Sequence, residues 1–487
     1  MLRIIPAPLR ASLCVCLALV PALSHATNGM NMEGYGPIAT AMGGAGMAYD
    51  NGTAAMMNNP ATLGLMEDGD RAELFVGFLG PDVSAEAGNV KADSDGTAYY
   101  MPALGWVRKQ EGLTFGFGIY GQGGMGTEYD QRTFLGDPGR VGASLENRSE
   151  LSVGRVIAPL AWNVNDKLVI GGSADLIWAG LDLRMAMSEA QFVDLVTTRT
   201  IGEASGTLLN SFGALYEPFG APAAPGSIRT LNHAYFDFND SSDFTGEAKA
   251  YGYAGKIGFV YQASRKLSIG GAYHTKTRLG DLKSSDASLL MGVEVNTGSG
   301  YTNVDIPVRG KIRVDDFQWP ATWAVGMKLQ ATPELLLVFD VKRLLWKDVM
   351  ENFTMEFTAD SSQPDPAAAG FAGADLTATL YQDWEDQTVY QVGGAYQFTR
   401  ALTLRAGFNY AANPVPDEFL NALFPAIAEN HLTGGFGYRF DDTQSIDFSV
   451  VKVFENSATN PGNGSTIPAV KSTHSQLNFQ FLYTRRY

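Results

Sequence analysis

The sequence predicts an all-β fold, a 14-stranded antiparallel transmembrane β-barrel plugged by an N-terminal hatch, and three observations carry that reading. The first is strict alternation of the kind seen from Gln476 to Tyr487, where Leu477, Phe479, Phe481, Tyr483 and the terminal Tyr487 share one face. Gln476, Asn478, Gln480 and Thr484 share the other. A greasy, aromatic outer face with a polar inner face suits a strand that has lipid on one side and a lumen on the other. The second is that connections between alternating segments switch regularly between short and long. The third is an export signal at the start of a chain with no other apolar stretch near the roughly 20 residues of a helical span.

Residues 1–26 read as the signal. Arg3 and Arg10 form its positive region, 11–20 its apolar run, and Ser24-His25-Ala26 a small-residue cleavage site. Cys14 and Cys16 both fall inside it, without the small residue that a lipid-anchor site has just before its cysteine. The mature chain from Thr27 then has no cysteine and no disulfide framework. The formal net charge is −16, and loss of the two signal arginines makes it −18. An acidic chain of this kind lacks the basic footprint of a nucleic-acid binder. Mean hydropathy is close to zero, as expected when lipid-facing and lumen-facing residues alternate.

Residues 27–70 are rich in Gly, Met, Ala and Asn and alternate little, so they are expected to form the hatch. Gly34, Gly36, Gly43, Gly44 and Gly46 permit tight backbone packing. Residues 71–487 then carry the barrel. Short turns are expected at 109–112, 163–166, 263–266, 331–334, 398–401 and 441–444. Long loops are expected at about 80–97, 122–148, 188–246, 284–302, 346–385, 412–430 and 456–472. Six short turns and seven long loops separate fourteen strands and return the C-terminus to the short-turn, periplasmic side. The 188–246 loop is long enough to be functional. Short helices are expected in it at 190–196 and 207–216, lying over the outer mouth, with 219–225 a surface turn. A soluble β-sandwich also alternates, but it would turn its aromatic face into a core.

The hatch segment resembles a known family. Thr27-Asn28-Gly29-Met30, the run Ala41-Met42-Gly43-Gly44-Ala45-Gly46-Met47-Ala48, and Asn59-Pro60-Ala61 are similar to the hatch of FadL-family outer-membrane transporters for hydrophobic compounds, which include TodX-like proteins. The resemblance covers the whole mature chain. It implies a monomeric barrel in the bacterial outer membrane, in contact with membrane lipid and lipopolysaccharide, that is not an enzyme and needs no cofactor or metal. Such a barrel takes up long-chain fatty acids or, alternatively, aromatic hydrocarbons by passive transport. Ligand is caught at outer loops (188–246 and 284–302 as lid), held beside the hatch, and released sideways where the third strand kinks. Here that strand is Leu113 to Tyr120, running into Gly121, Gly123, Gly124 and Gly126, a cluster that weakens strand pairing.

Several motifs have two readings. Gly121 to Gly126 also matches G-x-G-x-x-G, but no helix or βαβ unit follows. Lys276, Arg278, Arg405 and Arg439, with Lys256, His274, Asp175, Asp340 and Asp447, are expected to face the lumen. There they pair with one another or with the plug, and one or two cations meet a ligand carboxylate. Asn59, Pro60 and Ala61 are either a plain turn or the element holding the hatch near the kinked strand. The methionines at 30, 32, 42, 47, 56 and 57 are core filler or an adaptable pocket lining. The four histidines of the mature chain are scattered, and no nucleophile elbow or zinc motif accompanies them. A general aqueous porin, or a surface receptor built on a barrel, is the competing class.

Overall fold

The computed structural model describes residues 28–217, 224–240, 242 and 245–487. The expected signal, Thr27 and most of the 219–225 turn lie outside the described residues. The described strands form one antiparallel sheet, and its ladder closes on itself. The circuit runs from Gly69–Ala87 through Tyr99–Gln110, Leu113–Tyr129, Asn147–Asn165, Leu168–Ser188, Ala248–Gln262 and Leu267–His274. It continues through Thr322–Gln330, Leu335–Leu344, Gln387–Gln397, Leu402–Ala411, Asn430–Arg439, Gln444–Asn460 and Val470–Arg486. Val470–Arg486 then pairs back onto Gly69–Ala87, from Arg71↔Arg486 to Glu86↔Lys471. Closure removes the sheet edges that hydrocarbon would leave unsatisfied.

The outer face explains why these residues form strands. Leu74, Val76, Phe115, Phe117, Leu160, Ile257, Val325, Leu337, Val392 and Phe481 all stand exposed on it. Trp162, Tyr261, Phe398, Tyr438 and Phe440 ring it near the short turns. Tyr100, Tyr251, Tyr273, Trp323 and Tyr390 ring it toward the long-loop end. An apolar band between two aromatic girdles is the surface of a barrel in a bilayer. No helix among the described residues is long and apolar enough to cross a membrane.

Inside lies the hatch, buried almost throughout from Asn28 to Gly64. It is built from short turns: a helix Pro37–Thr40 and 3-10 turns Thr53–Met56 and Pro60–Leu65. Gly43 and Gly44 take φ of +74° and +83°, which a side chain would strain, to reverse the chain against the wall. The wall makes room with glycines of its own. A Cβ on Gly270 would sit 1.9 Å from the Met47 carbonyl, one on Gly258 2.1 Å from Asn59 Oδ1, and one on Gly407 2.3 Å from the Gly43 nitrogen.

The loop expected at 284–302 is instead mostly strand, and that expected at 346–385 contains a hairpin. Leu282–Asn296 pairs with Tyr301–Asp315, and Asn352–Ala359 with Asp375–Tyr381. Both hairpins extend the sheet beyond the lipid-facing band. Leu289, Met291 and Val293 alternate inward at 0 to 1% exposure, so the pattern was present in the sequence. Within 188–246 the helices form at Glu189–Val196 and Thr207–Gly213, close to the expected positions. Ser188 and Gln191 cap the first reciprocally. The strand Ile228–Phe238 joins that loop to Leu282–Asn296, so the two segments read as a lid share one ladder. A large apolar core fills this outer region.

Candidate functional site

The wall has a gap. Leu113–Tyr129 pairs with Tyr99–Gln110 only from Gln110↔Leu113 to Leu104↔Ile119. Each strand keeps its other neighbour well past that point. Two positions further along that register Pro102 and Gly121 stand opposite each other, and Pro102 has no N–H to donate. At the same place the ladder to Asn147–Asn165 shifts between Gly121 and Gly123, leaving Gln122 as a bulged residue. The strand then bends into the lumen, where Gly123 bridges Asn31 and the Gly124 nitrogen donates to the Met30 carbonyl at 3.1 Å. A Cβ on Gly123 would lie 2.3 Å from that carbonyl, so glycine is required by the contact. The gap closes again where the Asp95 nitrogen donates to the Glu128 carbonyl at 2.7 Å. Behind it is a 150 Å³ cavity bordered by Met30, Asn31, Tyr99, Met101, Gly123 to Thr127 and Leu151.

A second cavity continues outward from the first, sharing Met30 and Leu151 with it. Its other walls are Leu181, Leu183, Met185, Phe317, Met350, Phe353, Leu380, Trp384 and Phe424, with Gln382 and Asn421 as the polar groups. Trp384 belongs to an edge-to-face series with Trp346 and Trp319, at centroid distances of 5.2 and 5.7 Å. Trp319 Nε1 donates to Asn31 Oδ1 at 3.2 Å and so ties the series to the hatch. The outer mouth follows, a 1520 Å³ cavity that shares Met185, Leu380, Gln382 and Asn421 with the apolar one. Mouth, apolar passage and wall gap are therefore consecutive.

Below the passage the lumen is polar and filled. Asp340 Oδ2 accepts from the Gly46 and Met47 nitrogens at 2.6 and 3.0 Å. Arg71 holds Asp50 through Nη1 and Nη2, each at 2.7 Å. Glu73 accepts from the nitrogen and hydroxyl of Thr53 at 2.6 and 2.8 Å. Asp175 takes Arg155 Nη1 at 2.8 Å and also Lys256 Nζ. Every one of these acids answers either a hatch backbone or a basic partner, and the contacts of Asp340, Asp50 and Glu73 hold the plug.

The expected site residues fall in three places. Gly121, Gly123 and Gly124 are at the wall gap. Asn59, Pro60 and Ala61 begin the 3-10 turn, where Asn59 Oδ1 caps the Ala61 nitrogen at 3.1 Å and Nδ2 donates to Met47 O at 2.8 Å and Phe259 O at 3.0 Å. The motif therefore seats the hatch chiefly against Leu168–Ser188 and Ala248–Gln262. The four cations line none of these cavities. Arg405 is bound to Asp447 at 2.7 Å, and Arg439 is exposed beside the 441–443 turn. Lys276 and Arg278 are exposed, because the ladder breaks after His274 and parity is lost. Arg278 emerges on the outer face over the Tyr253 ring. Sequence reasoning overlooked Pro102, Gln122, Met350 and the three tryptophans. A proline in an otherwise central strand was the legible signal for the gap.

The chain is similar along nearly its whole length to known proteins. The family of outer membrane protein transport proteins (OMPP1/FadL/TodX) matches residues 18–482. The solved toluene transporter TodX of P. putida is 28% identical with a TM-score of 0.78, over 93% of this chain and 99% of that one. The toluene transporter TbuX of Ralstonia pickettii is 30% identical with a TM-score of 0.72, over 93% and 99%. A FadL homologue of Pseudomonas aeruginosa shares the fold at 16% identity and a TM-score of 0.66, over 94% and 99%. An uncharacterized protein of Chlorobium limicola is 44% identical over 98 residues, 19% of this chain, and the chain spans about half (48%) of that relative's length. With a closed barrel, an internal hatch and this match, the chain belongs to the OMPP1/FadL/TodX family of outer-membrane transport proteins, which are channels and not enzymes.

Proposed function

We infer that this protein carries small, neutral hydrophobic molecules passively across the outer membrane, aromatic hydrocarbons ahead of fatty acids. The observation that carries the reading is the lining of the two inner cavities, which among the described residues includes no Lys or Arg. A carboxylate drawn out of water needs a charged or hydrogen-bonding partner. Here it would meet no Lys or Arg, only neutral donors such as Asn31, Thr127 and Ser152 beside Glu33 and Glu150. A ring without charge meets Met, Leu, Phe and Trp, and gains roughly 25 cal/mol per Å² of apolar area removed from water. Ligand enters at the mouth, crosses the passage and leaves sideways through the wall gap into the bilayer. Movement is downhill, so net flux follows consumption inside the cell.

The same reading assigns fourteen strands to the membrane-crossing wall. The closed pairing circuit from Gly69–Ala87 to Val470–Arg486 supports it, the remaining strands standing above the lipid-facing band. The buried hatch argues against an aqueous porin. The test is uptake of labelled toluene and labelled oleate in cells lacking transporters of this kind. Toluene uptake rising above the empty vector, with oleate unchanged, is expected. A rise in oleate alone returns the reading to fatty acids and overturns the charge argument.

A further inference from the structure

The inward bend of Leu113–Tyr129 is held by side chains that do not border the passage. Gln122, the bulged residue, is 6% exposed, and its side chain points to Arg155, whose Nε donates to Gln122 Oε1. Arg155 is 1% exposed and is fixed in turn by Asp175, which also takes Lys256 Nζ and, at 2.6 Å, the Ser173 hydroxyl. On its backbone side, Gln122 is held by the hatch: the Tyr35 hydroxyl donates to its carbonyl at 2.6 Å and lies 2.9 Å from Asn31 Oδ1. Asn31 forms the bridge to Gly123. Gln122 is thus gripped by the barrel wall through its side chain and by the hatch through its carbonyl.

We propose that Arg155, Gln122 and Tyr35 are positioning residues that keep the lateral gap open, by preventing residues 121–126 from pairing with 99–103. A bulge by itself does not part a strand from its other neighbour. Once parted, the two edges forgo ladder hydrogen bonds that the membrane does not replace. Something must hold the bent geometry. In this wall that role falls to a buried guanidinium–amide contact, since hydrogen bonds to charged groups are the stronger ones. The arrangement also joins two parts usually treated separately. The hatch reaches the bend through Tyr35, so a shift of the hatch reaches the gap directly.

The proposal rests on the lateral-exit reading, and the experiment separates the two. Gln122→Met and Arg155→Met would be compared with wild type in toluene uptake, and in amide hydrogen exchange of the purified protein in nanodiscs. Arg155→Met leaves Asp175 with Lys256 and Ser173, and Gln122→Met leaves Arg155 with Asp175. Gln122→Glu keeps an acceptor for Arg155 and serves as the rescue and folding control. The expected result is slower exchange at Tyr100, Met101, Ala103 and 121–126 in both Met variants. Uptake should fall about tenfold, the effect on a two-state equilibrium of losing one hydrogen bond to a charged group. Gln122→Glu should behave as wild type. Unchanged exchange at both edges overturns the proposal, whatever uptake does. Slower exchange with undiminished uptake keeps the positioning role and removes the lateral exit.

Discussion

Asp340→Ala provides a direct test of how the hatch is held. Asp340 is 1% exposed on Leu335–Leu344, and its Oδ2 accepts two hatch amides, from Gly46 at 2.6 Å and Met47 at 3.0 Å. Alanine leaves both N–H groups in a place that protein already fills. An orphaned buried donor costs about 1–3 kcal/mol, so the pair costs about 2–6 kcal/mol. At about 1.4 kcal/mol per decade, the displaced hatch becomes roughly thirty- to twenty-thousandfold more populated. Asp340→Asn keeps a carbonyl acceptor and should show a much smaller effect. Small-ion conductance across a planar bilayer reads the displaced population, and exchange of the Gly46 and Met47 amides reads the contact itself. Conductance and exchange both equal to wild type in a folded Asp340→Ala barrel would refute the assignment of Asp340 as a hatch anchor.

Other outcomes follow from the same geometry. Gly270→Val should lower the thermal transition of the folded barrel, because its Cβ meets the Met47 carbonyl at 1.9 Å and overpacking costs about 1–3 kcal/mol. Gly280→Val, with 3.9 Å of clearance, should not. Trp384→Ala opens a hole beside Trp346 and should destabilise the outer region by about 3–5 kcal/mol, read from its denaturation followed by near-UV circular dichroism. Lys276→Gln and Arg278→Gln should leave toluene uptake within about twofold of wild type, since exposed charges contribute little. Beyond the membrane, burial works against the Asp194 charge, but hydrogen bonds from Thr198, Thr200 and Ile201 outweigh it and hold the carboxyl below its usual range. Its contribution is therefore present above the ordinary carboxylate value and lost as pH falls through the lowered one. Exchange at Thr200 and Ile201, corrected for intrinsic rates, should accelerate there and also in Asp194→Asn at neutral pH.

Where lipid and lumen impose opposite polarities, the sequence was readable residue by residue. Phe436 and Tyr438 face out and Thr433 faces in because the pleat leaves no choice. The hatch was legible from glycine density and lack of alternation. Arg278 was not, since parity carries through a strand only while the ladder does, and the ladder stops after His274. The outer hairpins were missed for a related reason. Above the membrane a strand needs only one buried face, and the polar side of Leu282–Asn296, with Lys283, Ser288 and Glu294, reads as loop. The gap was half visible in Gly121 to Gly126. Its other half, Pro102, lies on the neighbouring strand and becomes meaningful only once the register sets it opposite Gly121.

The join between the first and last strands has a consequence for how this molecule is made. Asp70 and Tyr487 exchange backbone hydrogen bonds at 3.2 and 3.0 Å, and hatch residues grip both sides of that join. Thr53 holds Glu73 on the first strand, and Thr484 on the last donates to the same carboxylate at 3.2 Å. Thr40 donates to Gln480, and Asn478 donates to Glu33 at 3.4 Å. The ribosome delivers the hatch before any strand of the ring, and Val470–Arg486 after every other strand. The contacts that seal the cylinder and those that seat the plug therefore depend on the same register of the last strand. A slip of one residue along the seam turns Asn478, Gln480 and Thr484 outward into lipid and removes the hatch's contacts through Glu33, Gly34 and Thr40.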